Sequence, residues 1–147
     1  MMRPMRVFTF VLMLATVGAG CESATAIPAG AQQVRVAATA TSVQVTPATV
    51  HAGDVYFVLD LSPQGVPLSF VKSSSGAGGA LTDADIARLA QNVDSAGLSS
   101  EGIDASCCGN VYKKTLAPGR YAFVVHDPRS AQPGLRPLSM AILEVQP

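Results

Sequence analysis

The sequence predicts an all-β fold, a β-sandwich of about seven short strands with one short α-helix in a connection. Apolar and polar residues alternate over several short stretches, and glycine- and proline-rich turns separate these stretches. One further segment carries apolar residues at helical spacing. Hydrophobic residues make up 48% of the 147 residues and charged residues 14%. This composition supplies enough apolar material for a core and argues against a disordered chain.

The first half of the chain supplies four of the predicted strands. Residues 33–47, "QVRVAATATSVQVTP", alternate in two pieces, first over Val34, Val36 and Ala38, then over Val43 and Val45. After a turn at 52–54, the dense run "VYFVLDL" indicates a central strand, and "GVPLSFVKS" follows the turn at 62–65. The segment "SSSGAGG" at 73–79 is predicted to be a flexible connection.

The predicted helix lies in "LTDADIARLAQNV", residues 81–93. Thr82 can cap its start, while Asp83 and Asp85 suit the positive end of the helix dipole. We expect one apolar stripe, formed by Ile86, Leu89, Ala90 and Val93.

The second half of the chain supplies the remaining three strands. The segment "SSEGIDASCCGN" at 99–110 is predicted to be a loop, and "VYKKTL" is a short strand. The turn "APGR" leads into the strand "YAFVV", a proline-studded loop covers residues 127–137, and "LSMAILEVQ" closes the chain as a strand.

The N-terminus predicts an export signal and a lipid anchor. Residues 1–20 combine a basic start with an apolar run of about eleven residues, which is short for a membrane-spanning helix. The following "GAGCES" resembles a bacterial lipoprotein processing site, which implies lipid on Cys21. Ordinary secretory cleavage after the A-x-A pattern at 24–26 is the alternative, and would release a secreted protein. Residues 21–32 are then the anchor and a small, polar tether, and residues 33–147 form the domain.

The predicted localisation is the cell envelope, with the domain facing the periplasm or the cell exterior. Without the leader the chain carries eight Lys and Arg residues against ten Asp and Glu, a net charge of about −2. No basic patch is evident, which argues against nucleic acid as a partner. The expected partners are the membrane, through the lipid on Cys21, and another envelope protein. We expect its contacts at the glycine-serine loop, the Cys-Cys loop and the loop "HDPRSAQPGLRP".

The layout resembles the cupredoxin-like fold, a Greek-key sandwich. The segments that carry the resemblance are "VHAGDVYFVL", then "LAPGRYAFVV", then "LSMAILEV". Members that hold type 1 copper use two histidines, a cysteine and a weak axial methionine. The resemblance would place the cysteine near Val125, the late histidine near Leu135 and the methionine near Met140, and "SPQGVPLSF" lacks the early histidine. It therefore implies the fold without the blue-copper site, and no resident cofactor is expected.

The remaining donor residues allow an alternative chemistry. Cys107 and Cys108 are adjacent, and a bridge between them is strained because neighbouring Cα atoms are only about 3.8 Å apart. A redox ring, an intermolecular bridge, inert thiols or a soft-metal site all remain open, as does pairing with an unlipidated Cys21. His126 and Met140 add two soft donors for Cu(I). The ordinary interpretation is a surface-loop residue for His126, as for His51, and a core residue for Met140.

The sequence offers little support for catalysis. It contains no G-x-S-x-G elbow, HExxH helix or phosphate-binding loop. We therefore expect a non-catalytic, membrane-anchored envelope lipoprotein that acts in binding. The alternative is a copper-handling or thiol-redox protein using Cys107, Cys108, His126 and Met140.

Overall fold

The structure is a computed structural model, and it describes residues 26–63, 65–91, 98–103, 110–127 and 137–147. Within these residues the chain forms nine β-strands, one α-helix and one turn of 3₁₀-helix. In chain order the elements are β1 (Gln32–Thr39), β2 (Val43–Thr46), β3 (Thr49–His51), β4 (Gly53–Ser62), β5 (Leu68–Ser73), the 3₁₀ turn (Ala77–Gly79), α1 (Asp83–Gln91), β6 (Leu98–Ile103), β7 (Val111–Leu116), β8 (Gly119–His126) and β9 (Pro137–Gln146).

The strands form two sheets. The first sheet has the order β2-β1-β4-β7, and the second has the order β3-β9-β8-β5-β6. Most neighbours are antiparallel, but β1 runs parallel to β4 and β3 runs parallel to β9. The all-β sandwich with one short helix that the sequence predicts is therefore confirmed.

The core between the two sheets is apolar and rich in aromatic rings. Alternate residues of the strands point inward, as the two-residue period requires. Phe57, Phe70 and Phe123 meet at ring-centroid distances of 5.2 to 6.0 Å, and Tyr121 stacks on Phe70 at 5.7 Å. The buried phenolic oxygen of Tyr121 lies 2.9 Å from the carbonyl oxygen of Ala117, so its polar end has a partner.

The helix α1 covers the outer face of the second sheet. Its start is a reciprocal capping box, in which the backbone N–H of Asp85 donates to Thr82 Oγ1 and that of Thr82 donates to the Asp85 carboxylate. Leu89 is fully buried and Ile86 half-buried against the sheet. Ala90 is exposed, so its place in the expected apolar stripe is wrong. Ile86 and Leu89 are therefore the described members of the stripe that pack against the sheet.

Two strands were not expected from the sequence. β3 is a three-residue strand beside β9, and β6 pairs with β5 where a loop was predicted from residue 99 onward. Both lie at the edges of the second sheet, and each pairs on one side only with the strands that the structure describes. The glycine-rich connection contains a defined 3₁₀ turn, in which Gly78 and Gly79 take positive φ angles.

Several predicted features lie outside the described residues. These include the signal peptide, the lipidation site Cys21, the helix residue Val93, the cysteine pair Cys107 and Cys108, and residues 128–136 of the proline-studded loop, among them Leu135. The domain start predicted at residue 33 falls beside the start of β1 at Gln32. In the described part of the chain, no helix has the length and apolarity needed to cross a membrane.

Candidate functional sites

The position that the resemblance assigns to the cysteine ligand is occupied by a fully buried apolar side chain, Val125. Val125 on β8 pairs directly with Leu68 on β5, and both side chains belong to the core between the sheets. Val125 has no exposed surface, and Leu68 is 2% exposed. Neither side chain can coordinate a metal, so this part of the core offers packing and no donor atom.

His126 does not lie in a surface loop, which corrects the expectation from the sequence. β8 continues one residue past "YAFVV", because the backbone N–H of His126 donates to the Pro67 carbonyl at 3.0 Å and extends the pairing with β5. The imidazole is 8% exposed, and its Nε2 lies 2.9 Å from Ser69 Oγ. The buried Nδ1 has no hydrogen-bond partner among the described residues. Burial lowers the pKa of His126, which favours the neutral ring.

Met140 shares a face of the second sheet with His126. It pairs with Val124, which in turn pairs with Ser69 on β5, and Ser69 is the residue whose hydroxyl contacts the His126 ring. Met140 is half-buried against a small apolar cluster beneath α1, so its core interpretation is only partly met. Within the described ranges, no group of three or more His, Cys, Asp or Glu residues lies close enough to hold a metal ion.

His51 and His126 cannot share a site. His51 pairs with Gln146 at the end of β9, whereas His126 pairs with Pro137 at its start. His51 is exposed; its backbone N–H donates to Gln32 Oε1 at 2.7 Å, and its Nδ1 lies 3.3 Å from the carbonyl oxygen of Pro147.

A cavity opens between the two sheets beside β7, and sequence reasoning missed it. Its volume is about 340 Å³, and its lining consists of Phe70, Lys72, Gly78, Lys113, Lys114, Thr115 and Leu116. The sequence pattern could have indicated this cavity. Lys72 follows Leu68 and Phe70 at two-residue spacing, so its side chain lies on the same inward face of β5. Lys114 is likewise in phase with Leu116, which packs in the core.

The charges around the cavity are mostly paired. Lys114 Nζ lies 2.6 Å from Glu101 on β6 and 5.3 Å from the centre of the Phe70 ring. Lys113 Nζ lies 2.8 Å from a carboxylate oxygen of Asp54 on β4. Hydrogen bonds from Lys113 and Thr115 lower the pKa of Asp54, in that order of importance.

Comparisons with known proteins leave the family open. No family model matches the chain, and no curated protein matches it. Among solved structures, auracyanin B matches at 21% identity, covering 85% of this chain and 94% of that chain with a TM-score of 0.40. At this level of superposition the similarity carries no argument about the site. The fold class therefore rests on the observed sheets, and the function on the residues of this chain.

Proposed function

We propose that this protein is an envelope lipoprotein whose sandwich domain acts by binding and carries out no catalysis. Support for the anchor comes from the leader and from the small residues that precede Cys21. The small, polar composition of residues 21–32 supports a tether between the lipid and the sandwich. An anchored domain of this kind presents its loops to partners in the envelope.

One observation carries the non-redox part of this proposal. Leu68 and Val125 pair in the core, where the cupredoxin resemblance would require a cysteine at or near Val125. A type 1 centre needs a thiolate and two imidazoles converging from the early and late parts of the fold. With apolar side chains filling this position, an electron carrier with a complete blue-copper centre is disfavoured, and binding is the better supported role.

The anchor is tested by the mass and the location of the processed protein. We expect membrane-extracted protein to begin at Cys21 and to carry more than one acyl chain. Cys21→Ser should move the protein from the membrane fraction to the soluble fraction or leave it unprocessed, while Cys107→Ser should stay in the membrane. Unlipidated protein that begins after residue 26 would contradict the anchor and favour a secreted protein.

The binding role is tested by cross-linking in intact cells. We expect one envelope protein to be captured reproducibly by the anchored chain and lost when the predicted contact loops are altered by charge reversal, for example Arg129→Glu. The matched control is Arg35→Glu, which changes an exposed charge on β1 that pairs with Asp60. If no envelope protein is captured with either chain, the binding role is contradicted.

A second function is favoured by the environment of His126. Its buried Nδ1 has no hydrogen-bond partner among the described residues, and an unpaired buried nitrogen is costly unless something binds it. Met140 lies on the same face, and the neutral imidazole and thioether are both donors that Cu(I) accepts. With thiolates from Cys107 and Cys108, this supports a copper-handling or thiol-redox protein as the alternative function.

Competition for Cu(I) distinguishes this alternative. Reduced protein would be titrated with Cu(I) against a colorimetric chelator, in parallel with a Cys107→Ser, Cys108→Ser double variant and with His126→Ala. The control is His51→Ala, which removes an exposed histidine from the opposite end of β9. The alternative requires tighter binding by the unmodified chain than by the cysteine and His126 variants. Equal binding by all four proteins would contradict it, and Cu(II) should give no blue colour in any of them.

A further inference from the structure

The cavity beside β7 concentrates positive charge in a chain that is otherwise poor in lysine. The sequence contains three lysines, Lys72, Lys113 and Lys114, and all three line this one cavity. Two carboxylates, Asp54 and Glu101, pair with Lys113 and Lys114. Three cations beside two anions leave one positive charge over.

The surplus charge belongs to Lys72. No ion pair or hydrogen bond involves its ammonium among the described residues. The side chain is half-buried, and its stem lies against Gly79, where an added Cβ atom would come within 3.3 Å of the Lys72 Cδ. The 3₁₀ turn therefore holds the stem in place beside the cavity, and the ammonium is left to solvent or to a ligand.

The floor of the cavity is apolar but almost completely buried. Phe70 has no exposed surface and Leu116 is 5% exposed, and both belong to the core cluster between the sheets. The surface open to a ligand is therefore mostly polar, and its side chains are those of the lysines and Thr115. A volume of about 340 Å³ lies at the small end of the range found for small-molecule sites, which is about 300–1,000 Å³.

We propose that this cavity binds a small organic carboxylate. The carboxylate pairs with the Lys72 ammonium, and the rest of the ligand occupies the polar opening beside Lys114 and Thr115. One unpaired cation matches a single negative charge. A phosphate monoester brings about −1.5 to −2 charges at pH 7, which one unpaired ammonium does not neutralise. This inference specifies a ligand for the proposed binding role and rests on it.

The test uses benzoate as the probe and benzyl alcohol as its neutral counterpart. Both would be titrated into the full chain carrying Cys21→Ser, which keeps lipid and detergent from taking up the probe, with amide shifts followed by NMR. We expect benzoate to shift the amides of Gly78, Thr115 and Leu116, and to bind at least tenfold more tightly than benzyl alcohol. High salt should weaken the binding of benzoate and leave that of benzyl alcohol unchanged.

Three variants make the assignment specific. Lys72→Met keeps the length of the stem and removes the charge, so the dissociation constant of benzoate should rise at least tenfold. Lys72→Arg keeps the charge and should retain most of the affinity. Arg35→Met removes an exposed cation from the first sheet and should bind as the parent does. Thermal melts would confirm that each variant is folded.

Two outcomes would overturn the inference. One is a parent chain that shows no shifts at these residues with benzoate, and the other is unchanged benzoate affinity in Lys72→Met. Neither outcome touches the lipid on Cys21 or the cross-linked partner, which are measured separately. Failure of this inference is therefore distinguishable from failure of the proposed function.

Discussion

The two lateral edges of the sandwich are closed by different means. At one edge the chain itself crosses from sheet to sheet, because β2 pairs with β1 in the first sheet and β3 pairs with β9 in the second. At the other edge no pairing joins β6 to β7 within the described strands, and the contact between them is the ion pair of Lys114 with Glu101.

The difference shows how the same architecture can be sealed or left accessible. The crossing edge is tied by hydrogen bonds that involve the backbone, including Val43 N–H to Ser139 Oγ at 3.0 Å and Glu144 N–H to the Ala48 carbonyl at 2.8 Å. The edge at β6 and β7 is bridged by long side chains, and the cavity lies there. Backbone hydrogen bonds fix the two sheets to each other at the crossing edge, whereas a side-chain bridge can move aside for a ligand.

Removing the aromatic floor of the accessible edge should have the largest effect. Phe70 has no exposed surface and contacts the rings of Phe57, Tyr121 and Phe123. Phe70→Ala leaves a cavity in the core, so we expect the free energy of unfolding to fall by about 3–5 kcal/mol. Urea unfolding followed by circular dichroism measures this. A loss below about 1 kcal/mol would contradict the packing described for this wall.

At the crossing edge the Ser139 hydroxyl is the element to remove. Ser139→Ala deprives the Val43 N–H of its acceptor, and leaving a partly buried donor unpaired costs about 1–3 kcal/mol. Ser42→Ala is the matched control, because its hydroxyl bonds to Thr39 at an exposed position, and it should change stability by less than about 0.5 kcal/mol. Equal effects in the two variants would mean that this edge is not held as described.

The capping box of α1 lies at neither edge, so its contribution to stability is a reference for the two edges. The pKa of Asp85 falls from 3.8 to about 2, mainly because the Thr82 backbone N–H donates to its carboxylate. The unfolded chain takes up this proton first as the pH falls, so the stabilisation is complete above about pH 4 and is lost on acidification toward pH 2.

Asp85→Asn tests this reference through the pH dependence of unfolding. The variant should be less stable than the parent by about 1 kcal/mol at pH 6, as for loss of a cap. The gap should close as the pH falls from 4 to 2, measured by urea midpoints at each pH. A gap that stays constant over this range would show that the charge of Asp85 contributes nothing.

The ion pair at the accessible edge should have the smallest effect. The side chain of Lys114 is 19% exposed and that of Glu101 48% exposed, and pairs of this kind contribute at most about 1 kcal/mol. Lys114→Met should therefore cost less than about 1 kcal/mol, with a smaller cost at high salt. Lys113→Met, which loses the ion pair with Asp54 on β4 and leaves the one between β6 and β7 intact, is the control. A loss well above 1 kcal/mol in Lys114→Met alone would mean that this edge is sealed as firmly as the crossing edge.

Seven of the nine described strands could be predicted from the sequence because they carry alternating or dense apolar residues. β3 is three residues long, too short to establish a period, and β6 reads "LSSEGI", of which four residues are exposed. Both strands form through pairing with β9 and β5, which the local sequence does not encode. The exposure of Ala90 also depends on tertiary structure, because the position of the short helix on the sheet decides which of its residues are buried.

The candidate sites depended on tertiary placement to a greater degree. The sequence could supply the donor residues, but not the burial of His126, which follows from one additional residue of pairing with β5. The lysine-lined cavity could have been suspected from the phase of Lys72 with Phe70. That the three lysines converge follows only from the approach of β5 and β7 across the two sheets.

The inward charges of Lys114 and Glu101 have a consequence for crowded molecules. Edge strands such as β6 and β7 offer backbone groups to any strand arriving from a neighbouring copy. Such an addition would enclose the two charges more deeply, and desolvating them costs several kcal/mol per ion. The Lys114–Glu101 pair, which lies beside the cavity, therefore also disfavours intermolecular strand addition and growth into cross-β aggregates.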